Sequence, residues 1–278
     1  MHKAIRPVVI TALTILSLSA GTSRAAVKTY VFTAPPLASL KKDTAVYGPI
    51  AAYLSKALGR KVAYQYPDNW LSYEKNMQED KYDIIYDGPH FIGWRMARLG
   101  NVPLVKLPGK LKFVVFVKVN NKSFKSLADL DGHTVCGLAP PNLATLSLYN
   151  QYSNPVREPL IISAGSFPKD YKMVMMGKCT AGVMRDKMFF KLQMKSGKKG
   201  RIIWTSKGLT SLGFTASSRV TPRDRKKIVA ALTAPAAQAP LKAFFNRFSR
   251  KNRKLLPATV KDYAGMGSYL RDVYGFTQ

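Results

Sequence analysis

The stretch YDIIYDGPHFIGWRM, residues 82–96, combines three structural signals. It starts with an apolar and aromatic run that is typical of a buried β-strand. The Asp-Gly-Pro that follows predicts a turn, and the spacing of the apolar residues after it predicts a new helix. Asp87, His90, Trp94 and Arg95 place an acid, an imidazole, an indole and a guanidinium at this junction. The stretch is therefore a catalytic site, a ligand-binding site or a structural turn.

The chain up to this junction predicts alternating strands and helices. The predicted elements are a strand at residues 28–34, a helix at 47–60, a strand at 61–66, a helix at 72–78 and a strand at 82–86. Apolar residues of the first helix recur every three or four positions, which places them on one face. We expect Pro49 near the first turn of this helix, where its missing N–H is tolerated. This order is typical of a parallel α/β sheet.

The same alternation continues in the second half of the chain. Strands are predicted at residues 113–119, 133–138, 179–184, 201–205 and 213–220, and helices within 140–152 and at 222–233. The PAAQAP run at 235–240 is predicted to be a linker, and the chain after it is predicted to be helical again. The sequence shows no short tandem repeat, so we expect two α/β lobes of similar size.

The first residues, MHKAIRPVVITALTILSLSAGTSRAA, have the basic start, apolar centre and Ser-Arg-Ala cleavage site of a secretory signal peptide. We predict that residues 1–25 are removed and that the mature protein lies in a bacterial periplasm. The apolar run is too short for a stable membrane anchor. We find no other stretch that is apolar for long enough to span a membrane, so we expect no membrane-spanning segment.

The chain is strongly basic, with a formal net charge of +29. Such a charge indicates nucleic-acid binding, attraction to an acidic envelope surface, or a field that draws in anionic ligands. The densest basic runs are residues 191–201 and 242–254. The second run interleaves phenylalanines with its charges, which is typical of an amphipathic helix with aromatics in the core. Because a secreted protein meets little nucleic acid, we expect no nucleic-acid partner.

Two cysteines, Cys136 and Cys179, lie in the predicted mature chain. In an oxidising compartment they allow one intramolecular disulfide, which we predict; the alternative is two buried thiols. Only His90 and His133 remain to complete a zinc site, so we expect no metal and no cofactor. The sequence lacks a nucleophile elbow, a Walker A loop and an H-E-x-x-H motif, and we therefore predict that the protein is not an enzyme.

The order of these elements resembles the type 2 periplasmic substrate-binding proteins of ABC transporters, and is most similar to the phosphate/phosphite/phosphonate-binding family. The resemblance covers nearly the whole mature chain. It rests on YGPIAAYLSKALGRKV (47–62), YDIIYDGPHF (82–91), VPLVKL (102–107), FVVFVK (113–118), SLADLDGHTVCG (126–137) and GKCTAGVMRD (177–186). The Leu-Ala-Asp-Leu-Asp-Gly element and the Asp-Gly-Pro turn are the more specific parts.

The resemblance implies a two-lobe α/β fold with a ligand cleft between the lobes. Lobe 1 would contain residues 26–112 and 213–278, and lobe 2 residues 113–212. The two strands that cross between the lobes would be 113–119 and 213–220. The implied function is to bind a small anionic ligand of the phosphate or phosphonate class and to deliver it to an ABC permease.

The resemblance also implies where the ligand is held. The turn after the third strand would face the cleft, Tyr47 resembles a first-lobe contact, and Asp186 fits an acidic position beside the fork-shaped donor Arg185. The family commonly holds phosphonate with hydroxyls and backbone N–H groups at the loop that here reads Ala-Pro-Pro-Asn, residues 139–142, where two prolines remove two donors. The predicted ligand-binding residues are Tyr47, Trp70, Asp87, Gly88, His90, Trp94, Asn142, Thr145, Arg185 and Asp186.

Three alternative functions remain open at this point. The same fold can serve as a ligand sensor that docks on a membrane receptor kinase. The aromatics Trp70, Tyr73, Tyr86 and Trp94 can form an apolar or cation-holding pocket for a different small molecule. The charge can also drive binding to the envelope or to nucleic acid, which a steep salt dependence of DNA binding would reveal.

Overall fold

The computed structural model describes Met1 and residues 29–276, so the predicted signal peptide lies, apart from Met1, outside the described residues. Within these residues, two β-sheets carry helices on both faces. The nine α-helices described are α1 (Leu40–Leu58), α2 (Trp70–Gln78), α3 (Pro89–Leu99), α4 (Leu143–Tyr149), α5 (Phe167–Met175), α6 (Asp186–Ser196), α7 (Pro222–Thr233), α8 (Lys242–Phe248) and α9 (Val260–Tyr263).

The first sheet has the strand order β11-β4-β10-β3-β1-β2. Its strands are β1 (Tyr30–Thr33), β2 (Val62–Tyr64), β3 (Ile84–Asp87), β4 (Val102–Lys106), β10 (Gly213–Ala216) and β11 (Leu256–Pro257). Strands β1, β2 and β3 are parallel, as predicted, but β10 is antiparallel to both β3 and β4. The parallel arrangement predicted for the first three strands is therefore confirmed, and the sheet as a whole is mixed because β10 returns from the second sheet in the opposite direction.

The second sheet has the order β7-β6-β8-β5-β9. Its strands are β5 (Phe113–Lys118), β6 (Thr134–Cys136), β7 (Leu160–Ile162), β8 (Ala181–Arg185) and β9 (Gly200–Thr205). Helix α4 packs on one face of this sheet, and α5 and α6 pack together on the other. The apolar cluster beneath α4 also includes side chains of α2 and α3 from the first sheet, so one continuous core joins the two halves.

The chain crosses between the sheets in the segments 107–112 and 206–212. These segments run antiparallel: Leu111 and Leu209 exchange two backbone hydrogen bonds of 2.9 and 2.8 Å, and the Leu107 N–H donates to the Leu212 carbonyl. The prediction that residues 113–119 and 213–220 cross was wrong, because β5 and β10 each pair within a single sheet. The division into two lobes at residues 112/113 and 212/213 stays a prediction, and it falls at the ends of these crossings.

Two local predictions were also wrong because packing overrides the sequence signal. Helix α1 begins at Leu40 and contains Pro49 in its interior, since Asp43 in the first turn is buried and accepts a 2.5 Å hydrogen bond from Arg247 Nη1. The predicted linker forms a 3₁₀ helix, Pro235–Gln238, and Ala237 is buried in the first core. Here an apolar, proline-rich run is part of the fold.

The chain after residue 255 includes strand β11 as well as helical segments, so the prediction of an all-helical end was incomplete. Its 3₁₀ helix, Met266–Leu270, packs on α3 and also contacts α4. A Cβ atom added to Gly93 would lie 2.5 Å from the backbone nitrogen of Gly267. Gly93 and Gly267 therefore allow a close backbone approach, whereas Gly265 suits its position because its φ of 73° lies in the left-handed region.

The predicted disulfide is confirmed. Cys136, the last residue of β6, is bonded to Cys179 just before β8, with the two Cα atoms 5.7 Å apart. Both residues are buried in the core beneath α5 and α6. Among the residues that the structure describes, no helix has the length and apolar character needed to cross a membrane.

We predict that reducing this disulfide lowers the free energy of unfolding by about 4 kcal/mol, since the bond closes a loop with a sequence separation of 43 in the unfolded chain. Chemical denaturation of the oxidised protein and of the Cys136→Ser/Cys179→Ser variant measures the difference. Equal stability of the two proteins would show that the disulfide does not stabilise the fold.

Candidate functional site

Strand β3 presents its last residues to two different faces of the first sheet. Ile84 and Tyr86 face the core beneath α1 and α8, whereas Ile85 faces the core beneath α2 and α3. Asp87 follows the same alternation and contacts side chains of α2 and α3. The strand therefore places a tyrosine on one face and an acid on the other, directly before the turn into α3.

Asp87 is 1% exposed, and both of its carboxylate oxygens accept hydrogen bonds from the protein. Oδ2 accepts from the Tyr73 hydroxyl and, at 2.9 Å, from Arg95 Nη2; Oδ1 accepts from the Gly88 N–H at 2.7 Å. Burial raises the pKa of Asp87, and the Arg95 guanidinium opposes this shift most strongly. Burial alone would lower the pKa of Arg95, but the interactions with Tyr73 and Asp87 raise it above its usual value. This geometry favours the structural interpretation of Asp87 over a direct ligand contact.

His90 connects the two halves of the molecule. Its Nε2 lies 3.0 Å from the carbonyl oxygen of Pro141, in the loop before α4, and its ring packs on Phe91. Because the carbonyl can only accept, Nε2 carries the proton, and the buried Nδ1 has no partner among the described residues. Burial lowers the pKa of His90 to about 3, so the ring is neutral at physiological pH.

This buried histidine predicts a loss of stability in acid. The folded protein resists protonation of His90 down to about pH 3, whereas the unfolded chain takes up a proton below about pH 6.5. Stability should therefore fall as the pH drops, by about 2 kcal/mol from this group between pH 7 and pH 5. The His90→Gln variant should lose that part of the pH dependence in denaturation curves, while His133→Gln, at an exposed histidine, should keep it. Parallel curves for all three proteins would contradict the account.

The predicted residues at the start of α4 bond to their own loop. The Asn142 side chain caps α4 by accepting a 3.0 Å hydrogen bond from the Ala144 N–H. The buried Thr145 hydroxyl donates to the Leu138 carbonyl at 2.5 Å. Asp186 begins α6, and its carboxylate accepts from the Lys187 N–H at 2.6 Å. These three side chains fix the loops on the second-sheet side.

The two predicted tryptophans lie at different places. Trp70 begins α2, is 39% exposed and stacks on Phe91 with 6.4 Å between ring centroids. Trp94 packs edge-on against Phe276 and lines a cavity of about 560 Å³ between α3 and residues 265–276. No second-sheet residue lines that cavity. Trp94 is therefore placed against the C-terminal segment, and Trp70 flanks the turn that contains His90.

Four tyrosines at the first sheet have buried hydroxyls without a hydrogen-bond partner among the described residues. Tyr82 lies in the core beneath α2 and α3, and the other three share the core beneath α1: Tyr47 on α1, Tyr64 at the end of β2 and Tyr86 near the end of β3. The Tyr47 ring centroid lies 5.2 Å from that of Tyr64 and 6.2 Å from that of Tyr86. Burial raises the pKa of all three hydroxyls, so each is a neutral donor. Because β2 and β3 are parallel, Tyr64 and Tyr86 lie near the same, carboxyl edge of the sheet, where ligands of α/β folds commonly bind.

Arg185 ends β8, in the second sheet, and interacts electrostatically with Tyr86. It is half-buried, its Nε atom has no hydrogen-bond partner, and it makes no ion pair with a described carboxylate. Burial lowers the pKa of Arg185, while Tyr86 and Asp186 oppose the shift; Arg185 in turn opposes the rise in the pKa of Tyr86. Tyr86 and Arg185 are thus close enough for each to shift the pKa of the other. We call Tyr47, Tyr64, Tyr86 and Arg185 the tyrosine–arginine group.

Sequence reasoning identified Tyr47 and Arg185 but missed Tyr64 and named Tyr86 only for an aromatic pocket. A tyrosine in a buried strand looks like core, because its ring packs as phenylalanine does. The available signal was position: Tyr64 and Tyr86 come at the ends of two consecutive parallel strands. Within residues 29–276 no cluster of three or more His, Cys, Asp and Glu side chains is placed to hold a metal ion.

Comparison with known proteins identifies the family. A family model described as the periplasmic substrate-binding protein of phosphonate ABC transporters matches residues 32–263. The chain belongs to this family. The predicted resemblance, the two-lobe α/β fold and the role as the substrate-binding component of an ABC transporter are therefore confirmed. Members of this phosphonate-binding family serve in transport and not as enzymes.

Solved structures share the fold at low sequence identity. A Xanthomonas citri protein bound to ATP is 13% identical, with a TM-score of 0.71 over 88% of this chain and 99% of that one. PhnD1 of Prochlorococcus marinus in complex with methylphosphonate is 15% identical, with a TM-score of 0.65 over 89% and 99%. A binding protein component of an ABC phosphonate transporter from Pseudomonas aeruginosa is 13% identical, with a TM-score of 0.59 over 83% and 81%. No curated protein gives a significant match to the sequence.

Proposed function

We propose that this member of the phosphonate-binding family holds a phosphonate, or a closely similar phosphorus oxyanion, at the tyrosine–arginine group. Two observations carry the proposal: three neighbouring tyrosines have buried hydroxyls without an acceptor at the carboxyl edge of the first sheet, and Arg185, at a strand end of the second sheet, interacts electrostatically with one of them, Tyr86. A ligand bound to both would connect the two lobes, which is how periplasmic binding proteins close on their ligands. The complex with methylphosphonate of the structurally similar Prochlorococcus marinus protein supports this choice of ligand class.

The chemistry of the group suits an oxyanion. A phosphonate carries only acceptor oxygens, and the group offers tyrosine O–H donors and a guanidinium that can bind two oxygens at once. A buried donor without an acceptor costs about 1–3 kcal/mol, so an anion that satisfies several of them gains that energy. Three or four charge-assisted hydrogen bonds of about 1.5–3 kcal/mol each, less ordering costs, reach the roughly 8 kcal/mol of micromolar binding.

In this proposal, most of the other predicted ligand-binding residues have structural roles around the site. His90 and the loop before α4 connect the first-sheet and second-sheet parts of the protein through the hydrogen bond between His90 Nε2 and the Pro141 carbonyl. Asp87 fixes the start of α3 through Gly88 and Arg95. Trp70 flanks this turn with its exposed ring. Asn142, Thr145 and Asp186 hold the second-lobe loops, and direct contact of any of them with the ligand remains part of the proposal.

We also propose that residues 1–25 direct export to the periplasm and that the ligand-bound protein docks on an ABC permease in the inner membrane. Membership of a periplasmic family of transport proteins supports both statements. A receptor-kinase partner is the alternative for the same fold. Measuring ligand uptake by cells that lack this protein distinguishes the permease from the receptor kinase as its partner. Uptake is lost only if the protein delivers the ligand to a transporter.

The Tyr86→Phe variant tests the ligand site with the smallest chemical change. It should leave the Tm of the free protein unchanged or slightly raised, because the buried hydroxyl has no protein acceptor. It should weaken methylphosphonate binding roughly tenfold, which is about 1.4 kcal/mol, and so reduce the ligand-induced rise in Tm. Thermal melting with and without methylphosphonate measures both effects.

Tyr53→Phe is the matched control. The Tyr53 hydroxyl donates to the Ala231 carbonyl at 3.0 Å, between α1 and α7. Its removal should lower the Tm of the free protein and leave the ligand-induced rise intact, the opposite of the result expected for Tyr86. If Tyr86→Phe binds methylphosphonate as well as the wild type does, the tyrosine–arginine group is not the ligand site.

A further inference from the structure

The outer face of the second sheet carries an unusual concentration of positive charge. All eight lysines between residues 169 and 199 are exposed, and they lie on or beside α5 and α6. None of them forms an ion pair with a described residue. We call the outward side of these two helices, with the turns that follow them, the α5–α6 surface.

The two helices form one continuous surface. Both pack on the same face of the second sheet, over a shared core that includes Val174 on α5 and Phe189 on α6. The hydroxyl of Tyr171 on α5 lies 2.8 Å from Gln193 Oε1 and 2.7 Å from Ser196 Oγ on α6. These contacts hold the helices side by side, so their exposed residues point away from the sheet together.

Acidic side chains do not neutralise this surface. Between residues 163 and 201 the only acids are Asp170 and Asp186. Asp170 is fully buried and accepts a 2.8 Å hydrogen bond from the Ala164 N–H. Asp186 lies at the first turn of α6, where its carboxylate bonds to the backbone. The lysines therefore present their charge to whatever faces them.

Large apolar side chains are exposed among these lysines. Phe190 is 53% exposed, Met194 is 85% exposed and Met176 is 57% exposed. On α6, Lys187, Lys191 and Lys195 recur every fourth residue, and Phe190 and Met194 each adjoin one of them on the same exposed stripe. Water hydrates exposed lysine side chains well, whereas the exposure of phenylalanine and methionine side chains to water is unfavourable. A cluster of lysines on a helical surface attracts anionic membrane surfaces, and exposed apolar side chains beside such a cluster can bury themselves at the boundary between headgroups and acyl chains.

We propose that the α5–α6 surface binds the anionic surface of a lipid bilayer. The lysines contact acidic headgroups, and Phe190, Met194 and Met176 enter the boundary between headgroups and acyl chains. A nucleic-acid partner fits less well, because all the cations of this surface are lysines, whereas arginine forks dominate the recognition of bases and phosphates. Membrane binding would concentrate a transport protein beside its permease, and it does not depend on which ligand the cleft holds.

Co-sedimentation with lipid vesicles tests this proposal. The chain from residue 26 onward is mixed with vesicles of phosphatidylcholine alone or with an equal part of phosphatidylglycerol. We expect binding only to the anionic vesicles, and weaker binding as salt is raised. Replacing Lys187, Lys191, Lys195 and Lys198 by Gln should weaken binding by up to about 1,000-fold at low salt, because each lysine near such a surface contributes roughly tenfold or slightly less. The Phe190→Ser/Met194→Ser variant should weaken it several-fold at high salt.

The control replaces four exposed lysines elsewhere, Lys41, Lys42, Lys251 and Lys254, by Gln, so its net charge equals that of the α5–α6 variant. It should keep most of the binding. Equal losses in the two lysine variants would overturn the proposal, because net charge alone would then explain the binding. Binding to duplex DNA without binding to anionic vesicles would overturn it in favour of a nucleic-acid surface. Each variant's thermal melt shows that it is folded.

Discussion

Replacing Asp87 by Ala should lower the free energy of unfolding by about 3–5 kcal/mol, because it leaves the buried Arg95 guanidinium without its counter-charge. The same change removes the acceptors for Tyr73 and for the Gly88 N–H at the start of α3. Urea denaturation of the wild type and the variant measures the loss.

Asp131→Ala is the matched control for this prediction. Asp131 forms an ion pair with Arg157, but the two side chains are 32% and 60% exposed. An exposed pair of this kind contributes about 0–1 kcal/mol, so the control should be nearly as stable as the wild type. A loss for Asp87→Ala no larger than that of the control would show that Asp87 is not a structural acid and would restore it as a candidate ligand contact.

Replacing Arg185 by Ala should weaken methylphosphonate binding by at least about 100-fold, since it removes the only charge of the tyrosine–arginine group. The free protein should melt at nearly the same temperature, because Arg185 makes no ion pair with a described carboxylate. Arg185→Lys should recover part of the affinity, since an ammonium keeps the charge but loses the two-pronged geometry. Calorimetric titration measures all three affinities.

Arg201→Ala is the control for Arg185→Ala. Arg201 lies on β9 of the same sheet, and its Nη2 donates to the carbonyls of Asn121 and Phe124 at 2.7 Å. Its loss should lower stability and leave the affinity unchanged. An Arg185→Ala protein that binds methylphosphonate normally would place the anion elsewhere in the molecule.

The sequence predicts the local elements of this fold well because hydrophobic periodicity is a local property. Helix α7 has the predicted bounds, Pro222–Thr233, with a proline at its first position and Thr221 as its cap. The strand before Asp87 and the helix after it are present as expected. The direction of β10 was not predictable in this way, because it depends on the return crossing of the chain at residues 206–212, which is far from β4 in sequence.

The candidate site was only partly predictable from sequence. Arg185 could be found because it follows the predicted strand of the GKCTAGVMRD element, which resembles the family. His90 could be found because it follows the Asp-Gly-Pro turn. The structural role of Asp87 depends on its hydrogen bonds to Tyr73 and Arg95 in the folded protein, and no spacing in the sequence indicates that these three side chains are in contact. Tyr64 was missed, and Tyr86 was named only for an aromatic pocket, because a hydroxyl without an acceptor is a property of the folded core that residue type alone does not indicate.

Titration of the mature protein with methylphosphonate in a calorimeter tests the central claim most directly, with sulfate as the competing oxyanion. We predict saturable binding of one methylphosphonate per chain with a dissociation constant of roughly micromolar or tighter. Sulfate should bind more weakly than methylphosphonate. Both variants should bind methylphosphonate more weakly than the wild type does, and Arg185→Ala should lose more affinity than Tyr86→Phe. No heat of binding from a folded protein, with phosphate and phosphite equally inactive, would contradict the assignment of an oxyanion to the tyrosine–arginine group.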